Sequence, residues 1–206
     1  MFTGIITHIG VFQKRSKNTL FFSATADFVS SLKNGNSIAI NGVCVTITNT
    51  KKAEFSVEIM PETVKKTMFG LLVPGTKVNL ERSLGSQGRF EGHMVQGHVE
   101  GVATVIDIKK QDEASWLFLF KTSPELLRYI VPKGSIAIHG VSLTVIECGN
   151  GQFSVGIIPY TFEHTNFSQL HISDLVHIET DIFARYIGKF LKGGAYEKCN
   201  NCNCNS

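Results

Sequence analysis

The residues best suited to chemistry in this chain are one histidine, one cysteine and a few hydroxyls: His98, Cys44, Ser142 and Thr144. A histidine titrates near neutrality and suits general acid or base work, so His98 is the first candidate to move a proton. Cys44 can act as a polar contact or assist a nucleophilic addition, although a lone cysteine among valines also fits as core filler. His93 stands five residues before His98, and strand alternation would turn it to the opposite face unless Gly97 bulges. A metal shared by the two histidines is therefore not expected, and His93 reads as a hydrogen-bonded linker histidine. The chain shows no carboxylate pair, no Ser-His-Asp order and no Gly-rich phosphate loop.

The elements that position these residues are repeated. SIAINGVCVT, Ser37 to Thr46, returns as SIAIHGVSLT, Ser135 to Thr144, 98 residues later with seven of ten positions identical. Apolar residues alternate in both copies: Ile38, Ile40, then Val43, Val45, Ile47; and Ile136, Ile138, then Val141, Leu143, Val145. The phase changes at Asn41-Gly42 and at His139-Gly140, so a two-residue turn or bulge is expected at each. Past the turn, Cys44 and Thr46, like Ser142 and Thr144, share the face opposite the core. Small donors and acceptors beside a glycine suit a flat ligand with polar edges.

Composition narrows the classes. The 206 residues carry 20 basic and 17 acidic groups, a net charge of +3. That is too little for the clustered basic patch of a nucleic-acid protein, and no apolar run spans a membrane. The opening MFTGIITHIGVF lacks the basic first region and cleavage site of a signal peptide, so a cytoplasmic location is expected. Cys44 and Cys148 lie in the repeats, while Cys199, Cys202 and Cys204 crowd an Asn-rich tail; reduced thiols and a disordered tail fit this pattern better than disulfides.

Each half offers six short strand signals and little helix, which predicts a small closed barrel. In the first, a bent strand starts near Met1, a turn covers Lys14–Asn18, and a short helix is expected from a cap at Asp27 to Gly35; Pro61 stops a strand at Met60. The second half repeats this order, with Ser123 as helix cap. Gly4 aligns with Gly97 at an offset of 93, whereas Pro61 with Pro159 and Glu81 with Glu179 need 98, so five residues are inserted near KKQDEAS. The fold class is all-β: two homologous six-stranded antiparallel Greek-key-like barrels in tandem, plus a C-terminal amphipathic helix. The expected division is a barrel over 1–92, a barrel over 93–181, the helix over 182–193 with Gly193-Gly194 as its stop, and the tail over 194–206. Ile182, Phe183, Tyr186, Ile187, Phe190 and Leu191 form the helix's apolar stripe. That stripe can pack back on its own chain, the ordinary outcome, or against the same helix of other subunits; since each barrel has its own core, the second is expected.

MFTGI at the start, then NGVCVTI, GHMVQGHVEG and HGVSLTV, in that order in a duplicated barrel, resemble the riboflavin synthase family over essentially the whole chain to about Gly193. The resemblance implies two lumazine-binding barrels per subunit, a homotrimer held by the C-terminal helices, and no metal or redox cofactor. It implies that two 6,7-dimethyl-8-ribityllumazines exchange a four-carbon unit, giving riboflavin and 5-amino-6-(ribitylamino)pyrimidinedione. The ring itself acidifies the methyl on lumazine carbon 7, so face-to-face alignment of two rings, worth up to roughly 7–11 kcal/mol, is the protein's main task. By family pattern the catalytic candidates are His98, Cys44, Ser142, Phe2, Ser37 and Thr144, with Phe2 stacking near the substrate. Substrate contacts are implied for Gly4, Ile5 and Ile6; for Cys44, Val45 and Thr46; for Glu58, Ile59, Met60, Pro61, Glu62 and Thr63; and for Gly97, His98 and Val99. On the second copy they are Lys133, then Ser142, Leu143 and Thr144, then Gly156, Ile157, Ile158, Pro159, Tyr160 and Thr161. A donor and an acceptor need unlike pockets. The first copy accordingly has Asn41, Cys44 and Ile5 where the second has His139, Ser142 and His98, and Tyr160 departs from the acidic Glu62 of the first copy.

Two other readings compete. A non-catalytic lumazine or flavin carrier of the antenna type would share the barrels but tends to lose polar residues from one of them; Phe2, Cys44, His98, Ser142 and Thr144 are all retained here. A pair of oligonucleotide-binding barrels would need basic and aromatic residues along one strand face, a pattern absent from the chain.

Overall fold

The computed structural model describes residues 1–111 and 115–191. The expected insertion near KKQDEAS falls partly outside these residues, as do the helix stop at Gly193-Gly194 and the tail with Cys199, Cys202 and Cys204.

Alternating apolar residues close the chain into two antiparallel barrels, as the repeat predicts. The first comprises β1 (His8–Ser16), β2 (Thr19–Ser23), β3 (Ser37–Ile40), β4 (Val43–Lys51), β5 (Glu54–Glu58) and β6 (Lys77–Arg82), in the spatial order β1-β2-β5-β4-β3-β6 with β6 closing on β1. The second comprises β7 (Gly101–Lys110), β8 (Trp116–Lys121), β9 (Ser135–Ile138), β10 (Val141–Gly149), β11 (Gln152–Ile157) and β12 (Leu175–Thr180), in the same order. The bulges repeat as well: register shifts between Phe12 and Lys14 and between Ile47 and Asn49 recur between Val105 and Asp107 and between Val145 and Glu147. The inward faces make two matching apolar cores, with Phe22, Ile38 and Val57 among the first and Phe120, Ile136 and Val155 among the second.

The predicted turns are two-residue hairpins. Asn41 and Gly42 have φ of 46° and 80°, and His139 and Gly140 have 49° and 79°, the pair of positive angles that a type I′ turn needs. The two hairpins meet back to back, because a Cβ on either glycine would lie 2.7 Å from the other's backbone nitrogen.

Three local expectations change. The turn after β1 shrinks to Lys17-Asn18, since the bulge after Phe12 lets the strand run on to Ser16. Helix α1 (Ala26–Ser30) follows Thr25 at its cap position; Asp27 lies inside the first turn, where a carboxylate favours the positive end of the helix dipole. The bend at Gly4 precedes β1, and Phe2 makes only an isolated bridge with Val95. Helices α2 (Pro61–Lys66) and α4 (Pro159–His164) each start on a proline at N1, and α3 (Pro124–Leu127) is capped by the Ser123 hydroxyl accepting from Leu126 N–H, as expected.

The barrels join across two kinds of surface. One is apolar: Phe2, Ala39, Val95 and Ala137 are buried together, with Cys44 against them. The other is polar and fully bonded. Asn79 Oδ1 accepts from Asn166 N–H at 2.8 Å and its Nδ2 donates to the His139 carbonyl at 3.0 Å. His177, which the 98-residue shift places opposite Asn79, does the same with a ring: Nε2 accepts from Met68 N–H at 2.7 Å and Nδ1 donates to the Asn41 carbonyl at 2.9 Å. Both nitrogens are thereby committed in the neutral ring. Burial holds the pKa of His177 down at about 4, and burial together with His177 holds that of His139 well below the usual histidine range.

Helix α5 (Ile182–Leu191) follows the second barrel and buries none of its own residues. Its stripe stays open, with Phe183 60%, Phe190 71% and Leu191 82% exposed. Among the described residues, no helix is long and apolar enough to cross a membrane.

Candidate functional site

The decisive feature is an exchange of segments between the halves. The stretch before each barrel's first strand crosses to the outer face of the other barrel. Residues 94–99 lie along β4 of the first barrel: the Gly97 carbonyl accepts from Cys44 N–H at 2.9 Å. Residues 2–6 lie along β10 of the second: the Gly4 carbonyl accepts from Ser142 N–H at 2.8 Å. Phe2 and Val95 bond each other where the segments pass, N–H to carbonyl, at 2.7 and 3.1 Å.

Glycine is required at both crossings. Gly97 has φ of 80°, and a Cβ there would sit 2.5 Å from the Cys44 Cβ; Gly4 has φ of 79°, and its Cβ would sit 2.6 Å from the Ser142 Cβ. A buried glutamate at the end of each barrel's last strand then pins the crossing segment. Glu81 accepts from Thr3 N–H (2.7 Å), Thr3 Oγ1 (2.8 Å) and Gly4 N–H (3.0 Å). Glu179 accepts from Gln96 N–H (2.6 Å) and Gly97 N–H (2.8 Å). Burial raises the pKa of both carboxyls, and the hydrogen bonds to the ionised form oppose it.

The exchange reassigns the candidate residues. His98 follows Gly97 onto the first barrel, where it lines a hollow of about 200 Å³ with Cys44, Met60, Glu62, Thr63 and Lys66. An adjoining hollow of about 320 Å³ shares Met60 and adds Asn18, Thr46, Thr48, Glu58 and Pro61. The pairing of His98 with Ser142 expected from the repeat is therefore corrected: His98 completes the Cys44 face, and Gly4, Ile5 and Ile6 belong to the half of the chain that reaches the Ser142 face. Val99 packs on the first core and Ile6 on the second, which marks the same crossing.

His93 also changes role. Its Nδ1 lies 2.6 Å from Ser142 Oγ, and its buried Nε2 has no partner. Burial lowers its pKa, opposed by the nearby Asp181. Strand alternation misplaced this residue because 93–100 is not a strand; only Val95 bridges, and the left-handed Gly97 ends any period of two. His93 is the site residue that sequence reasoning set aside.

Other candidates fall in different places. Phe2 is 0% exposed at the junction between barrels, so its ring packs there and is closed to a ligand. Asn41 and His139 belong to the buried polar junction, not to a pocket for the ring. The side chains of Val45, Ile59, Leu143 and Ile157 point into the cores, leaving only their backbone outward. Ser37, opposite Thr46 in the ladder, opens instead into a 470 Å³ cleft with Thr3, Ile5, Glu81 and Arg82. Lys133, with φ of 65°, is exposed in the loop before β9, where its N–H donates to the Val145 carbonyl at 2.8 Å.

The second barrel's outer wall is aromatic where the first is polar. The 98-residue shift puts Ile146, Gly156, Tyr160 and His164 at the places of Thr48, Glu58, Glu62 and Lys66. Trp116 stacks on Phe162 with ring centres 3.8 Å apart, and Tyr160 stacks on His164 at 4.1 Å. On the first barrel Lys66 instead pairs with Glu62 at 2.8 Å on the exposed face of α2. Thr144, Ile158 and Tyr160 are exposed, and Ser142 and Thr161 are half-buried. Among the described residues, no three His, Cys, Asp or Glu side chains gather as a metal site.

Comparison with known proteins places this architecture. The lumazine binding domain family matches residues 3–83 and again 96–181. Riboflavin synthase from Actinobacillus pleuropneumoniae is 41% identical over 93% of this chain and 90% of its own length. That from Bacillus subtilis is 40% identical over the same shares, and that from Schizosaccharomyces pombe is 38% identical over 93% of this chain and 94% of its own. Among solved structures, LumP complexed with riboflavin superposes with a TM-score of 0.79 at 28% identity, covering 87% of this chain and 99% of LumP. LumP complexed with 6,7-dimethyl-8-(1'-D-ribityl)lumazine gives 0.76 at 27% over the same shares.

Proposed function

The chain belongs to the lumazine-binding domain family, with two such domains in tandem, and we propose that it is a riboflavin synthase. It dismutates two molecules of 6,7-dimethyl-8-ribityllumazine: one gives up a four-carbon unit, the other accepts it to become riboflavin, and 5-amino-6-(ribitylamino)pyrimidinedione leaves. The observation that carries this reading is the pair of related but unlike outer faces, Cys44 with His98 on one barrel and Ser142 with His93 on the other. A reaction between two copies of one molecule needs such a pair, because identical surroundings could not make one copy donor and its twin acceptor.

His98 moves the proton of the carbon 7 methyl, and Cys44 and the Ser142–His93 pair bind the ring edges. The polar wall of the first barrel, with Asn18, Thr48 and Glu58, suits the hydroxyls of a ribityl chain. Association is part of the proposal. The exposed stripe of α5 supports a homotrimer, in which a first barrel faces a neighbour's second barrel and Lys133 reaches a ligand across that boundary; the setting proposed for it is cytoplasmic.

The test is direct. Incubation of the protein with the lumazine should yield one riboflavin for every two lumazines consumed. Binding without consumption would favour a carrier of the kind that the LumP complexes represent.

A further inference from the structure

Glu179 is the most unusual charged group outside the proposed chemistry. It is 4% exposed at the end of β12, and no cation among the described residues is bonded to it. Its neighbours are acidic or already engaged: Glu100 accepts from Thr180 Oγ1 at 2.8 Å and pairs with Arg185 at 3.1 Å. Such a carboxylate is costly to bury unless its oxygens do something that an apolar side chain cannot. What it does is visible. Its two oxygens take the N–H groups of Gln96 and Gly97, fixing two successive peptide planes immediately before His98. The backbone between them turns at Gly97, the residue type with the widest rotational freedom, so without this clamp the approach to His98 would be loosely held.

Building on the reading of His98 as the proton-moving group, we propose that Glu179 of the second barrel is a positioning residue for the active site on the first: it holds the Gln96–Gly97 turn so that His98 stands beside Cys44. Glu81 is its counterpart, holding Thr3 and Gly4 against Ser142, and it has no part in placing His98. The two carboxylates therefore serve opposite sites from opposite barrels.

A cycle of Glu179→Gln and His98→Gln separates positioning from general weakening. A glutamine offers one acceptor oxygen where the clamp needs two, and a shift of about 1 Å at a reacting group can cost about 10²-fold in rate. E179Q is expected to lower kcat by about that factor with KM little changed, and to cost nothing more once His98 is already glutamine. The His98 ring resonance should move in E179Q and stay in place in Glu81→Gln. Should E179Q not fold, Glu179→Asp, which withdraws the same charge by one methylene, takes its place in both measurements. Equal losses from E179Q with and without His98, or a folded E179Q whose His98 resonance is unmoved, would overturn the proposal. A wild-type protein that never turns over lumazine would instead sink the functional reading, and the resonance comparison would still decide the role of Glu179.

Discussion

The two barrels share a topology, a hairpin, a set of bulges and a pinned crossing segment, yet their outer faces have parted chemically. On the first, a histidine and a cysteine adjoin a wall of Asn18, Thr48 and Glu58; the second carries a serine bonded to a buried histidine and, on its outer wall, the stacked pairs Trp116–Phe162 and Tyr160–His164. The cores have not parted: Ile38, Ile40 and Val45 are answered by Ile136, Ile138 and Leu143. Duplication kept what closes a barrel, because a cavity or an overpacked side chain in a core costs kilocalories. It left free what faces outward. The difference between the sites is therefore where function should be sought.

The largest effect should come from removing the asymmetry at the proton-moving position. His98→Gln should reduce turnover by about 10²–10⁴-fold while leaving lumazine affinity nearly unchanged. Ile5, its counterpart in the exchange, has no proton to move, so Ile5→Ala should act on affinity alone; single-turnover kinetics on both variants separates the two. Equal effects would erase the proposed division of labour.

The junction offers a second contrast, in stability. Asn79 and His177 make equivalent bonds, but only the histidine titrates. With its folded pKa near 4 against about 6.5 unfolded, His177 stays neutral while the unfolded chain takes up a proton, so stability falls as pH drops from about 6.5 towards 4. At pH 5 this amounts to roughly 2 kcal/mol. The raised carboxyls of Glu81 and Glu179 act with the opposite sign, since the folded state binds the extra proton and gains as pH falls through their window. His177→Asn copies the Asn79 arrangement and should cut the acid-induced loss in urea midpoint by that share, with little change at pH 7. An unchanged acid slope would mean that the ring is not the sensor.

A smaller effect is expected at His93. Its hydrogen bond to Ser142 is worth about 0.5–1.5 kcal/mol, so His93→Gln should weaken second-site binding by roughly 2- to 10-fold. The quenching of Trp116, the chain's single tryptophan, which packs on Phe162 at that wall, reports it. Least of all, Lys66→Ala removes an exposed, solvent-screened pair with Glu62 and should leave the urea midpoint unchanged within error.

What the sequence made legible was whatever repeats or alternates. Ile38 to Ile47 declared a hairpin with its turn at Asn41-Gly42, and the second copy declared the duplication. The crossing of segments was not legible, because residues 1–7 and 93–100 carry no period and are held by side-chain carboxylates and a single bridge rather than by a ladder. Phe2 shows the same limit. The family resemblance implies a ring stacked near the substrate, whereas burial between the two barrels gives it a packing role. His93 was set aside for a related reason, since its partner Ser142 lies 49 residues further along the chain.

The central claim is that each barrel's face is completed by a segment from the other half of the chain, Cys44 by Gly97 and His98, and Ser142 by Gly4 and Ile5, with His93 bonded to Ser142 within the second half. It is tested most directly by following the two histidine ring resonances in the ligand-free protein while the strand residue is changed. Cys44→Ala should move His98 and leave His93 where it was, and Ser142→Ala should move His93 and leave His98. The reverse pattern, with His98 answering to Ser142, would contradict the account.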